Sequence, residues 1–208
     1  MTNGFARPQD EDSRAEITPQ GAIDLLRAGN QRFLRRKPLE RSWADDVAAT
    51  ADGQYPYAVV LGCIDSRVPV ETVFDQGIGD IFTPRVAGNI VNVDLLGSME
   101  FACRLAGAKA VLVLGHTSCG AVSGAVGKAR LGNLTELVAK IAPVVDRVAE
   151  TMERDDPDFV DAVAEANVVA TIGAIRSRSE VLADMEQAGE IIIVGGMYDV
   201  STGEVRFL

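Results

Sequence analysis

Metal-binding side chains stand at the ends of two apolar runs. Cys63 follows Tyr57 to Gly62 (YAVVLG), and His116 and Cys119 follow Lys109 to Gly115 (KAVLVLG). His116 is the only histidine of the chain, and Cys63 and Cys119 are two of its three cysteines. Open α/β sheets place their ligands at the carboxyl ends of strands, so two neighbouring strands would bring these groups into one cavity. Catalytic zinc is held by three protein ligands with a fourth position left for water, and Cys₂His is one such set. The H-x-x-C spacing lets two ligands from one tight turn reach one ion, while the third arrives from the neighbouring strand end. A closed structural site would need a fourth Cys or His. Only Cys103 remains, and its helical spacing with Leu96 and Met99 places it in the core. Taken singly, each of the three candidates is more often structural, since Cys is among the most buried residue types. Their joint placement at strand ends favours a zinc site.

Asp65 and Arg67 follow Cys63 at alternate positions, so in an extended segment all three share one side. Asp65 can be a fourth ligand, a general base, or an orienting group beside the metal. Arg67 can hold its carboxylate bidentately and leave the fourth position to water. For a D-x-R alone, a surface ion pair of small energetic value is the simpler reading.

These side chains need a sheet to position them, and the chain can build one. Its 208 residues suit one sizeable α/β domain, here residues 17–208, preceded by a polar, aperiodic segment, 1–16, expected to be a mobile arm. The net charge of −10 argues against nucleic acid as a partner. No apolar run approaches the ~18 residues of a membrane span, and the acidic start, without an apolar core, does not read as a secretory signal. Three cysteines do not suit a disulfide framework. A cytoplasmic protein with no membrane association is expected.

Thr18 and Pro19 open a helix as cap and first residue. Gly29 is expected to interrupt it before a second short helix ends at Pro38. Arg32, Arg35, Arg36 and Lys37 read as a solvated helix face, with an anion site as the alternative. Tyr57–Gly62, Asp80–Val86 and Lys109–Gly115 are the first three strands, with Pro84 suited only to an edge or a strand end. Helices are expected over Asn92–Ala106 and Gly120–Ala129, from Leu134 to Val148 with a kink at Pro143, and from Pro157 through further helical pieces to Gln187. Glu190–Met197 and Glu204–Leu208 close the chain as a hairpin. The expected fold is α/β: a mostly parallel central sheet of four strands with an antiparallel C-terminal edge strand, helices on both faces, and an N-terminal helical arm.

Cys63-Ile-Asp65-Ser-Arg67, Arg85-Val-Ala-Gly-Asn89 and Gly115-His116-Thr-Ser-Cys119-Gly120, in this order and spacing, resemble the motifs of the β-class carbonic anhydrases. The resemblance extends to Gly29-Asn30-Gln-Arg-Phe33 and to the closing segment Gly196 to Gly203, so it spans nearly all of residues 18–208. It implies zinc-dependent, reversible hydration of CO₂ to bicarbonate and a proton by a zinc-bound hydroxide. Cys63, His116 and Cys119 would hold one Zn²⁺ per subunit, and the catalytic pair Asp65 and Arg67 would orient the hydroxide. In this family the aspartate can also swing onto the metal when its arginine contact is lost, a switch expected to be favoured at lower pH. Two thiolates cancel the formal charge of the ion, so its effect on a bound water should be weaker than that of a three-histidine site.

The resemblance also implies substrate contacts from Gln54, Phe82, Phe101 and Gly120. Gln54 and Phe82 match the plant-like branch, whereas Phe101 stands where that branch commonly has tyrosine. Val60 stands where the bicarbonate-regulated branch has tryptophan, so that regulation is not expected. The family implies a homodimer or homotetramer, with each site close to the dimer interface and N-terminal helices wrapping the partner. The alternative activity is hydrolysis of carbon disulfide or carbonyl sulfide, which uses a similar fold and ligand set. A non-catalytic zinc-binding or sensing protein would not need the Asp65 and Arg67 pair. A nucleotide-binding module is disfavoured because no G-x-x-x-x-G-K follows a strand.

Overall fold

The computed structural model describes residues 4–208. Five strands, β1 (Ala58–Leu61), β2 (Ile81–Phe82), β3 (Ala110–His116), β4 (Ile192–Tyr198) and β5 (Val205–Phe207), form one sheet in the order β2-β1-β3-β4-β5. β1 pairs in parallel with β2 and β3, β3 in parallel with β4, and β5 runs antiparallel to β4. β1 and β3 are buried along their whole length, which is why they read as continuous apolar runs. β2 is much shorter than Asp80–Val86. Pro84 lacks an amide hydrogen and interrupts the ladder, which resumes only as a single bridge between Gly62 and Arg85.

Among the described residues, ten α-helices surround the sheet: α1 (Glu11–Ala15), α2 (Pro19–Leu34), α3 (Trp43–Ala49), α4 (Val70–Val73), α5 (Val93–Glu100), α6 (Gly120–Val126), α7 (Gly132–Ala139), α8 (Ala142–Val148), α9 (Phe159–Arg178) and α10 (Glu180–Gln187). The two-residue period of the strands sorts the core into two layers. Val59, Leu61, Val111 and Val113 pack with Met99 and with Val163, Val168 and Ile175 of α9. Val60, Leu112 and Leu114 face the other way, onto Ile23 and Leu26 of α2 and onto Val73 and Phe74. The doubly covered sheet therefore matches the expected class.

Several local expectations change. α2 runs unbroken through Gly29, whose function is close packing: a Cβ there would lie 1.8 Å from the Phe74 carbonyl oxygen. Its neighbour Asn30 is buried and donates to the carbonyls of Val73 (3.1 Å) and Gly203 (2.9 Å), while its oxygen accepts from the Val205 amide (3.0 Å). Arg32 is no solvated residue, because it pairs with Asp75, which Arg41 also holds at 2.8 Å. Only Arg35, Arg36 and Lys37 remain exposed. In the segment expected to be an arm, Asp10 and Ser13 form a capping box for α1, and Arg14 donates to the Gly107 carbonyl at 3.0 Å. The first three residues of that segment lie outside the described residues. The helix from Asn92 ends as a π-helical turn, Phe101–Leu105. The stretch 134–148 divides into α7 and α8, with Pro143 seated in the first turn of α8, where its missing N–H costs nothing.

Under the sheet edge two carboxylates are buried together. Asp46 and Asp80 are each 2% exposed, and Asp46 Oδ2 and Asp80 Oδ1 have no hydrogen-bond partner. Burial, reinforced by the charges of Asp46 and Asp75, pushes the Asp80 carboxyl up to about 6, against the Gly77 amide and Arg41. The folded state thus binds a proton that the unfolded chain, titrating near 3.9, releases. Stability should fall as pH rises from about 4 to 6 and stay reduced above that. Asp80→Asn keeps an acceptor for the Gly77 amide and removes the buried charge. It should raise stability at pH 7.5 by about 2 kcal/mol and flatten that pH dependence in chemical denaturation; equal stability of the two proteins at pH 7.5 would contradict this origin of the pH dependence.

Candidate metal centre

The carboxyl ends of β1 and β3 lie side by side, and the chain leaves them toward one point. Cys63 is the second residue after β1, His116 ends β3, and Cys119 precedes the first residue of α6. The two sulfurs and an imidazole nitrogen lie within 4.8 Å of one another, and all three residues are buried. No disulfide joins the thiols. The third cysteine, Cys103, is in the core, where burial pushes its thiol up to about 12, as its helical spacing suggests.

Two of the ligand candidates, His116 and Cys63, are oriented from outside the cluster. His116 Nδ1 lies 2.9 Å from the Thr117 carbonyl oxygen, a contact that requires the proton on Nδ1 and leaves Nε2 as a free lone pair. Nε2 is buried and has no hydrogen-bond partner. Such an atom costs free energy unless something coordinates it. Cys63 Sγ accepts from the Gly88 amide at 3.3 Å. That close approach needs glycine, since φ is 70° and a Cβ would come within 2.7 Å of Ile141 Cδ1. The hydrogen bond between the two thiols holds Cys63 well below the ordinary thiol range, against burial, with His116 and the Gly88 amide adding to the effect. Cys119 moves in the opposite direction for the same reason, because a second thiolate beside the first is unfavourable. For His116, burial opposes the charged form, but the nearby Cys63 and the Thr117 carbonyl outweigh it and raise its pKa. Two thiols that cannot both ionise alone, together with an orphaned imidazole nitrogen, are a donor set that a divalent cation would complete.

Asp65 faces the same cluster. Its Oδ2 is 3.9 Å from His116 Nε2, yet both oxygens are engaged by Arg67: the backbone amide and Nε bond Oδ1 at 2.9 Å, and Nη2 bonds Oδ2 at 2.7 Å. This bidentate pair, assisted by the Arg67 amide, holds the Asp65 carboxyl far below the usual carboxylate range. Arg67 Nη2 also reaches the Ser118 carbonyl at 3.1 Å. The pair is therefore part of the cluster wall, not an isolated surface ion pair. Gly120, at the start of α6, is exposed, and a Cβ built there meets nothing within 4 Å. It leaves open space beside Cys119.

The other expected contacts lie elsewhere in this chain. Gln54 is exposed before β1, at the amino end of the strand whose carboxyl end carries Cys63, and lines a hollow with residues 50–53, Ile78 and Gly79. Phe82 and Phe101 meet edge to face, centroids 6.1 Å apart, in a separate open hollow of about 570 Å³ with Pro84, Asp94 and Ser98. Neither hollow includes a member of the Cys-His-Cys group.

Three further residues position this group, of which sequence reasoning singles out only Arg85, through its motif and without a role. Arg85, in the RVAGN motif, clamps the loop by donating to the carbonyls of Cys63 (2.8 Å) and Asp65 (2.7 Å). Asn167 of α9 donates to the Gly88 carbonyl at 2.8 Å, and Asp161 of α9 accepts from the Ser118 amide at 2.7 Å. Asn167 carries a readable signal, a polar residue four positions after Val163 on the buried face of its helix. For Asp161 no such signal exists.

A mostly parallel five-stranded sheet with a Cys₂His group at its strand ends defines a metal-binding α/β protein. A model of the carbonic anhydrase family matches residues 58–205. The chain is 37% identical over 189 residues to carbonic anhydrase 2 of Mycobacterium tuberculosis, covering 89% of this chain and 90% of that relative. It is 35% identical over 196 residues to the carbonic anhydrase of Mycolicibacterium smegmatis, covering 90% and 92%. Among solved structures it resembles the β-carbonic anhydrase CafA of Aspergillus fumigatus, with a TM-score of 0.71 and 32% identity over 78% of this chain and 79% of that one. A β-carbonic anhydrase described as tetrameric, from Sordaria macrospora, superposes with a TM-score of 0.72 at 26% identity, covering 77% of this chain and 84% of the other. The chain belongs to the β-class carbonic anhydrases, a family that implies a metal ion.

Asn167→Ala would leave the buried Gly88 carbonyl unpaired and loosen the amide that bonds Cys63. Metal affinity, measured by competition with a chromophoric chelator, should fall about tenfold to a hundredfold, with a stability loss of about 1–3 kcal/mol. Unchanged affinity would remove Asn167 from the support of the site.

Proposed function

We propose that the chain catalyses the reversible hydration of carbon dioxide to bicarbonate and a proton with one zinc ion held by Cys63, His116 and Cys119. The observation that carries this reading is the buried, unpartnered His116 Nε2 facing two thiols, beside an aspartate whose oxygens are both turned to Arg67. When bound, zinc supplies a nucleophile from water near neutral pH.

The protein groups divide the remaining work. Asp65 stays ionised through the weakly acid range, because Arg67 stabilises its charged form. A carboxylate can only accept a hydrogen bond, so Asp65 orients a nucleophilic oxygen by accepting the hydrogen bond that its O–H donates, which turns a lone pair toward the substrate. Arg67 keeps the carboxylate in that role and off the metal. Gly120 leaves room for the small apolar substrate next to the ligands. If Asp65 does swing onto the metal in acid, protonation of Asp65 itself is not the trigger, since its own titration lies far lower.

Gln54, Phe82 and Phe101 line hollows that hold no member of the cluster of their own chain. We place them at the site of a second copy, in a homodimer or a homotetramer. The exposed apolar side chains Val93, Phe101 and Leu105 support an interface on that face. Gln54 and Phe82 support assignment to the plant-like branch. Three unpaired thiols support a reducing compartment, the cytoplasm.

Zinc content and CO₂ hydration measured on the wild type and on Asp65→Asn test the reading. The wild type should carry one zinc per chain and hydrate CO₂. The variant should keep its zinc and lose about two to three orders of magnitude in kcat, as for removal of a group that orients charge in the transition state. A zinc-free or inactive wild type, or one that turns over carbon disulfide but not CO₂, would contradict it.

A further inference from the structure

Ser118 lies between two candidate ligands, His116 and Cys119, and its backbone is left-handed, with φ at 54°. A residue with a Cβ holds that conformation only when its surroundings impose it. Here the constraint comes from α9. Asp161 Oδ1 accepts from the Ser118 amide at 2.7 Å, and the Ser118 carbonyl in turn accepts from Arg67 Nη2 at 3.1 Å. The same Nη2 bonds Asp65 Oδ2 at 2.7 Å. Four residues from three segments of the chain thus form one line of hydrogen bonds ending at the open side of the metal cluster. The Arg67 side chain is half exposed. Beyond Asp65 itself, the Ser118 carbonyl is the contact that fixes where its guanidinium sits.

We propose that Asp161 is a positioning residue for the fourth metal position: its carboxylate sets the Ser118 turn so that the Ser118 carbonyl anchors Arg67, and Arg67 so anchored keeps Asp65 off the metal. This rests on the reading of Asp65 and Arg67 as the pair that governs that position. Asp161 touches neither the ligand atoms nor the space beside them, and it acts through the peptide. α9, twenty residues long and buried along one face, is a rigid base for it. Loss of the carboxylate lets Ser118 relax toward ordinary φ, turns its carbonyl away, and leaves Arg67 free to release Asp65.

Cobalt(II)-substituted protein provides a readout independent of turnover, because its visible spectrum reports whether a carboxylate or water occupies the fourth position. Arg67→Ala serves as the reference for a released Asp65. Asp161→Ala should bind one cobalt per chain with a spectrum shifted part-way toward that reference. In the zinc enzyme, kcat should fall about tenfold with KM within about twofold. Asp161→Asn, whose side-chain oxygen accepts the same hydrogen bond, should restore both. In the double variant Asp161→Ala with Arg67→Ala, the effect of Asp161→Ala should vanish, as two groups in one line require.

If Asp161→Ala fails to fold or to load metal, Asp161→Glu decides the matter. Its carboxylate is displaced by one methylene, so it should show the same partial shift. A wild-type spectrum in metal-loaded Asp161→Ala or Asp161→Glu, or a loss fully additive with that of Arg67→Ala, would overturn the proposal and leave the pair's role intact. A wild-type spectrum in Arg67→Ala would overturn that role and the proposal with it.

Discussion

Two thiols and an imidazole nitrogen are confined within 4.8 Å in a buried pocket, and this is the constraint on which the rest depends. Without a cation, the hydrogen-bonded thiols share a single ionisation, one favoured and the other suppressed, while His116 Nε2 has nothing to bond. Burying groups this way is unfavourable unless a metal completes them. The backbone has been committed to that arrangement. The Thr117 carbonyl selects the tautomer of His116, the Gly88 amide meets one sulfur, and the Arg85 guanidinium braces the loop that carries Cys63 and Asp65.

The geometry of the open side follows from what stands behind it. α9 packs across one face of the sheet and reaches both walls of the pocket through its polar residues, Asn167 to the Gly88 carbonyl and Asp161 to the Ser118 amide. Gly88 holds its left-handed φ without strain, whereas Ser118, with a Cβ, would relax if its contact with α9 were lost. His116 ends a strand, Cys63 follows one, and Cys119 caps α6. The groups that govern access to the ion come from turns.

The sheet is readable because buried parallel strands are apolar on both faces, and Tyr57–Gly62 and Lys109–Gly115 have that character. The Cys-His-Cys group is readable for the same reason, since each candidate stands at the end of such a run. Less is legible where long-range contacts decide the outcome. Gly29 has the look of a helix breaker and is a contact point for Phe74, and Arg32 has the look of a solvated residue although its partner Asp75 lies 43 positions away. The four-residue helix α4 is too short to show a period. At the site, spacing reveals the side chains that face the cavity and not those that hold its backbone, as Asp161 shows. Gln54, Phe82 and Phe101 carry a resemblance in type, but type does not say on which copy a residue acts, and in one chain they stand apart from the cluster.

The central claim is that Cys63, His116 and Cys119 hold zinc with one position left open. X-ray absorption at the zinc edge of the purified protein tests it most directly. The expected shell has two sulfur neighbours at about 2.3 Å, one nitrogen at about 2.0–2.1 Å and one further light atom. A shell without sulfur, one with four sulfurs, or a folded protein that takes up no zinc would contradict it.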